Sequence, residues 1–164
     1  MALTRINNQA LTNVTSAGLP TRAGSVLQVL KDEATTSTGN LTQTYADVGL
    51  SVTITPSSSS SKIWISMNTF TYMVQSAGLG ARLLRNGIDI FNPNAQNSTG
   101  PIGIYSSTGS MYSPYGFQYL DSPSTTSPIT YKIQARKYDS DASQFMRTNT
   151  TDATAYMTVW EIAG

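Results

Sequence analysis

The sequence predicts an all-β protein, an antiparallel β-sandwich or jelly-roll. Apolar residues alternate with hydroxyl and amide residues over short stretches, and turn residues recur roughly every ten positions. No stretch beyond the first 24 residues makes a convincing helix. About eight to ten short strands fit this frame. A chain of 164 residues is the size of one domain and can bury a real core.

Residues 1–24 read differently from the rest. Leu3, Ile6, Ala10, Leu11 and Val14 have a spacing that fits a short helix, but Asn7, Asn8, Asn13 and Gly18-Leu19-Pro20 are poor helix company. This segment is too polar to form a core, so it is expected to be an extended N-terminal attachment arm that orders on a neighbouring surface. The sandwich domain then occupies residues 25–164.

From Ser25, Val26, Gln28 and Leu30 alternate with Leu27, Val29 and Lys31. A strand apolar on both faces is expected between layers. Asp32 to Asn40 is a Thr-rich loop, and Leu41 to Val48 a weak strand carrying Tyr45. Leu50, Val52 and Ile54 then alternate with Ser51, Thr53 and Thr55 until Pro56 stops the strand. Ser57 to Ser61 form a polar turn, after which Ile63, Ile65, Met67 and Thr69 fall opposite Trp64, Ser66, Asn68 and Phe70. The two runs predict a hairpin or a sheet corner. One face of the second run belongs in the core, and the other is free to line a contact between subunits.

A third apolar run through Tyr72, Met73 and Val74 closes at Ser76-Ala77-Gly78. Asn86-Gly87, between Leu83-Leu84-Arg85 and Ile88-Asp89-Ile90, suits a two-residue hairpin turn that needs positive φ at both central residues. Residues 92–101 make a polar loop long enough to be a surface feature. Tyr105, Tyr112, Tyr115, Phe117 and Tyr119 follow among glycines and prolines, then a second loop from Asp121 to Pro128. Thr130, Lys132, Gln134 and Arg136 alternate with Tyr131, Ile133, Ala135 and Lys137, a strand with one wet face. Asp139 to Asn149 is a mixed turn and strand. Ala155, Met157 and Val159 against Tyr156, Thr158 and Trp160 close the chain.

Composition narrows the function. Ten basic and nine acidic residues leave a net charge of +1, scattered singly, so no footprint for nucleic acid or an anionic membrane is present. No apolar run approaches the ~20 residues of a membrane helix, and the first residues lack the layout of a secretory signal, so synthesis in a cytoplasm is expected. Without cysteine there is no disulfide, thiolate nucleophile or zinc–cysteine site. Without histidine there is no Ser-His-Asp relay and no usual transition-metal ligand. Most soluble enzyme mechanisms are thereby lost.

Paired carboxylates are the catalytic chemistry that remains. Asp89, Asp121, Asp139, Asp141 and Asp152 are the candidates, and glycoside hydrolysis needs two of them roughly 5 to 10 Å apart. All five sit beside Asn, Ser, Thr, Gly or Pro, where aspartate ordinarily makes turns. Asp139-Ser140-Asp141 starts like a calcium loop, but Gln144 and Thr150 stand where its glycine and glutamate belong. Ser57 to Ser61 and Gly78-Leu79-Gly80 lack the lysine of a phosphate-binding loop. Four glycosylation sequons, at Asn13, Asn40, Asn97 and Asn149, are what chance yields in so polar a chain. No enzyme activity, cofactor or metal is expected. Sparse charge leaves strand edges unguarded, which favours burial in a symmetric oligomer.

Several blocks together resemble a known domain. VTSAGLP (Val14 to Pro20), GSVLQVL (Gly24 to Leu30), GLSVTITPSSSSSKI (Gly49 to Ile63), RLLRNG (Arg82 to Gly87), YLDSPSTTSPITYKIQ (Tyr119 to Gln134) and VWEIAG (Val159 to Gly164) are similar to a β-rich domain of virion proteins in tailed phages, familiar from marine and cyanobacterial phages. The resemblance implies a homotrimeric sandwich on the virion surface, and it names no active site. With only a short arm ahead of the domain, it implies a capsid decoration protein, head fibre or small tail-attached knob, with a receptor-binding tail-fibre tip as the alternative. The arm residues Leu3, Ile6, Leu11, Val14 and Leu19 would dock on a capsid or tail protein. Phe91, Asn94, Tyr105, Tyr112 and Tyr115 would face a host glycan or protein.

Overall fold

In the computed structural model, described for residues 22–34, 41–73, 77–91, 104–106, 109–137, 144–147, 149–150 and 153–164, every regular element is a strand. In chain order these are β1 (Val26–Glu33), β2 (Ala46–Ile54), β3 (Lys62–Met73), β4 (Ala77–Arg85), β5 (Ile88–Phe91) and β6 (Ile104–Ser106). There follow β7 (Met111–Asp121), β8 (Ile129–Lys137), β9 (Gln144–Arg147), β10 (Asn149–Thr150), β11 (Ala153–Thr154) and β12 (Tyr156–Ile162).

The long strands form two antiparallel sheets. One has the order β1-β12-β3-β7, with β9 also on β3; the other has β2-β8-β4-β5, with β6 also on β4. The pairing is nested: β1 with β12, β2 with β8, β3 with β7, β4 with β5 and β6. Such nesting is a long double ribbon wound so that successive strand pairs, β1/β12, β2/β8, β3/β7 and β4/β5, fall alternately in the two sheets, the strand order of a jelly-roll. The short β10–β11 ribbon stands apart from both sheets.

Inward-pointing residues of both sheets make the core. Leu50, Ile54, Ile63, Ile65, Met67, Leu79, Leu83, Ile129, Tyr131, Ile133, Met157 and Val159 are all buried there. β3 therefore turns its Ile63, Ile65 and Met67 face inward and leaves Trp64 and Phe70 on the outside. β8 buries the face opposite its wet one, and β12 buries Met157, Val159 and Glu161.

Of the two outcomes open for residues 49–70, the structure takes the corner. β2 lies in one sheet and β3 in the other, so the serine turn carries the chain across the sandwich edge. The weak strand at 41–48 and the strong one after it are a single strand from Ala46, bulged where Gly49 adopts φ +80°. At the β4–β5 turn Asn86 and Gly87 both have positive φ, 49° and 83°, as a primed turn requires. The Asn86 side chain also accepts a 2.8 Å hydrogen bond from the Thr130 amide, which ties the turn to β8.

Two expectations fail. β1 is not sandwiched between layers: it is the end strand of its sheet, with Val26 57% and Val29 51% exposed. Its doubly apolar pattern reflects an inner face on the core and an outer face left open. Tyr115, expected to face a receptor, is 5% exposed, because the odd-numbered residues from Tyr115 to Asp121 turn toward the sandwich interior. Burial pushes its phenol well above the usual range.

Candidate functional site

Two buried carboxylates organise the domain. Glu161 of β12 is fully buried. Its Oε1 accepts from the Ser57 amide at 2.7 Å and from the Ser57 and Ser61 hydroxyls at 2.6 Å each, and its Oε2 accepts from Gln28 Nε2 at 2.6 Å. Gln28 also donates to the Thr55 carbonyl. One side chain thus joins β1, the β2–β3 corner and β12. Burial alone would raise the Glu161 pKa, but these donors outweigh it and hold the group at about 2.

Asp121 is the last residue of β7 and lies in the same row as Glu161, with Ile63 of β3 between them. Arg85 Nη1 lies 3.0 and 2.9 Å from its two oxygens, the Tyr131 hydroxyl donates to it at 2.7 Å, and the Ser122 amide at 2.8 Å. The cluster pins β4 and β8 of one sheet to β7 of the other. Burial first, and then the bond to this carboxylate, push the Tyr131 phenol far above its ordinary value. Asp121, a candidate for acid–base chemistry from sequence, here has its oxygens taken up by these donors. Asp89 lies beside Arg82 on β4, 3.4 Å away; Asp139, Asp141 and Asp152 lie outside the described residues. Among the described residues no group of three or more acidic side chains is placed to hold a metal.

The two outer faces of the sandwich differ in chemistry. On the β2-β8-β4-β5 sheet, Lys132 and Gln134 both donate to Asp47, Arg82 donates to Gln134 and stacks on Tyr45, and Thr53 bonds Thr130. The Lys132 bond holds the Asp47 carboxyl below its usual value. On the other sheet, register sets Val29 opposite Trp160, Trp160 opposite Trp64, and Trp64 opposite Leu120, an apolar row across all four strands. Val26, opposite Ile162, extends it along β1, while Leu27 sits at a bulge and lines a pocket with the serine corner.

Beyond the next, polar row of this face lies a groove of about 590 Å³. Phe70 and Tyr156 supply its rings and Asn68 and Gln118 its amides. Gly116 lines it too, at a close approach to β3 where a Cβ would come within 2.5 Å of the Met67 carbonyl. Lys31 stands over the Tyr156 ring and pairs with Glu33.

The residues expected to face a receptor do not gather in one place. Phe91 is half-buried against the Phe117 and Tyr119 rings, whereas Tyr112 is exposed and packs against Tyr72. Tyr105 lies on β6, paired with Gly78. Asn94 and the arm residues Leu3, Ile6, Leu11, Val14 and Leu19 lie outside the described residues. Sequence reasoning missed Glu161 and Gln28 as partners; of the apolar row it offered the Trp64 side of β3 as a face free to line a contact between subunits, but not its alignment with Val29, Trp160 and Leu120.

No family model and no curated protein sequence matches the chain. Solved structures do. A chain in the structure of the Gx strain of infectious bursal disease virus matches at TM-score 0.52 and 16% identity, covering 87% of this chain and 34% of that one. The VP2 subviral particle of the same virus matches at TM-score 0.51 and 14% identity, covering 84% and 33%. The likeness is one of fold, and the chain spans about a third of the length of either match.

Proposed function

We propose that the chain is a non-enzymatic structural protein of a virus particle, of the tailed-phage kind. It would sit on the virion surface as a trimeric decoration or small appendage docked through residues 1–24. The observation that carries this reading is the jelly-roll shared over more than four-fifths of the chain with the virus-particle structures. Its chemistry fits. The blocks GSVLQVL, GLSVTITPSSSSSKI and VWEIAG converge on Glu161, and RLLRNG and YLDSPSTTSPITYKIQ converge on Asp121. The residues behind the phage resemblance are spent on holding the scaffold together. Deleting residues 1–20 should leave a folded, soluble trimer that no longer adds to particles; a truncated chain that still decorates them would refute arm docking.

The groove favours a second reading, contact with a host glycan. Phe70 and Tyr156 offer faces for a sugar ring, and Asn68 and Gln118 offer amides for its hydroxyls. Purified protein should then block adsorption to host cells, and a Phe70→Ala/Tyr156→Ala variant should lose that block while keeping its fold. Equal inhibition by the variant rules the groove out.

A further inference from the structure

The contrast between the two outer faces locates a contact. One face is knit by charged and amide side chains that satisfy each other; the other carries Val29, Trp160, Trp64 and Leu120 in register, flanked by exposed Val26. We propose that copies of this chain associate through the outer face of the β1-β12-β3-β7 sheet, centred on that row.

Charge selects a second copy as the occupant. The row itself carries none. Beside it Lys31 pairs with Glu33, and Lys62, held by Ser122, leaves a single positive charge at the margin, too little to grip a strongly charged partner. The whole chain is nearly neutral at +1, so copies approach without long-range repulsion. Geometry agrees. Sheet faces stack on one another about 10 Å apart, so a second sheet face is a shape match for this one. β1, the end strand, adds an edge whose first half, with Val26 and Val29 exposed, lacks the charges that its second half carries at Lys31, Asp32 and Glu33. Two tryptophans at the centre are the kind of anchor that dominates interface energy. The groove lies on the far side of the Lys31–Thr158–Ser66–Gln118 row and stays clear of the contact.

The inference rests on the self-association in the reading above, without fixing the number of copies, and is tested apart from any particle. The full-length chain is followed by light scattering across micromolar concentrations, together with tryptophan emission, since Trp64 and Trp160 are the chain's two tryptophans and both lie in the row. The expected result is a discrete oligomer whose emission shifts to the red as it dissociates on dilution. Val29→Lys/Leu120→Glu should weaken association by about 100-fold or more with an unchanged β circular-dichroism signal, because both side chains already face solvent in the single chain. Ile88→Lys, at an exposed position on β5, should change nothing. A wild-type monomer with freely quenched tryptophans overturns the proposal, as does a double variant that keeps the wild-type oligomer and emission. If the double variant fails to fold, acrylamide quenching of the wild type decides, and tryptophans equally open at all concentrations overturn it. A monomer with shielded tryptophans also overturns it, and makes residues 1–21 of the same chain the occupant. Loss of self-association with the chain still found on particles would sink this interface and leave the virion reading standing.

Discussion

A Glu161→Ala variant is expected to lose about 4 kcal/mol of stability, a large share of the roughly 5 to 15 kcal/mol that holds an ordinary domain together. The substitution strips the acceptor from the Ser57 amide, the Ser57 and Ser61 hydroxyls and Gln28 at once. Hydrogen bonds to a charged group contribute about 1.5 to 3 kcal/mol each, and the loss falls short of their sum because freed hydroxyls turn to other partners. Glu161→Gln keeps the shape but sets an NH₂ against groups that are themselves donors, so about half the loss is expected. Acid separates the two effects. A carboxyl group that titrates at about 2 when folded and at 4.5 when free contributes stability that is full above pH 4.5 and lost as pH falls toward 2. Its size is about 3 kcal/mol. Urea melts of wild type between pH 5 and pH 2 should show that decline superimposed on the other carboxylates, and Glu161→Gln should flatten it by that amount. An unchanged acid slope in the variant would mean that the serine corner is held by something else.

Asp121→Ala should cost about 3 kcal/mol by the same kind of argument. The Tyr131 hydroxyl is fully buried and has no route to water once its acceptor is gone, whereas Arg85 is about one-third exposed and recovers some hydration. Tyr131→Phe should therefore cost only about 1 kcal/mol alone, and should relieve part of the loss when combined with Asp121→Ala. A thermal-denaturation cycle over the four proteins gives the coupling directly. Strict additivity would contradict the cluster. Alkali tests the same region with the opposite sign: Tyr115 and Tyr131 are held protonated when folded, so stability should be steady below pH 10 and fall above it, as the unfolded chain releases their protons.

These carboxylate clusters show where sequence reading stops. Period-two alternation identified the wet face of β8, because each strand decides locally which side is polar, but in β3 and β12, with large apolar residues on both phases, it left open which face is buried. Asn86-Gly87 was legible for the same reason, the φ requirement being set by two adjacent residues. Glu161 meets Ser57 across 104 positions and Gln28 across 133, and no local pattern announces such a pair. β1 misled because apolarity on both faces fits equally a strand between layers and an end strand with an open outer face. Tyr115 misled because its Pro and Gly neighbours read as loop, while the strand continues straight through them. The row of Val29, Trp160, Trp64 and Leu120 depends on inter-strand register, which only the folded sheet supplies.

If this scaffold is a particle component, electron microscopy of particles made with an epitope-tagged chain should show antibody–gold at regular positions on the particle surface, on head or tail. Purified particles without label, with the tagged protein left folded in the host lysate, would contradict it.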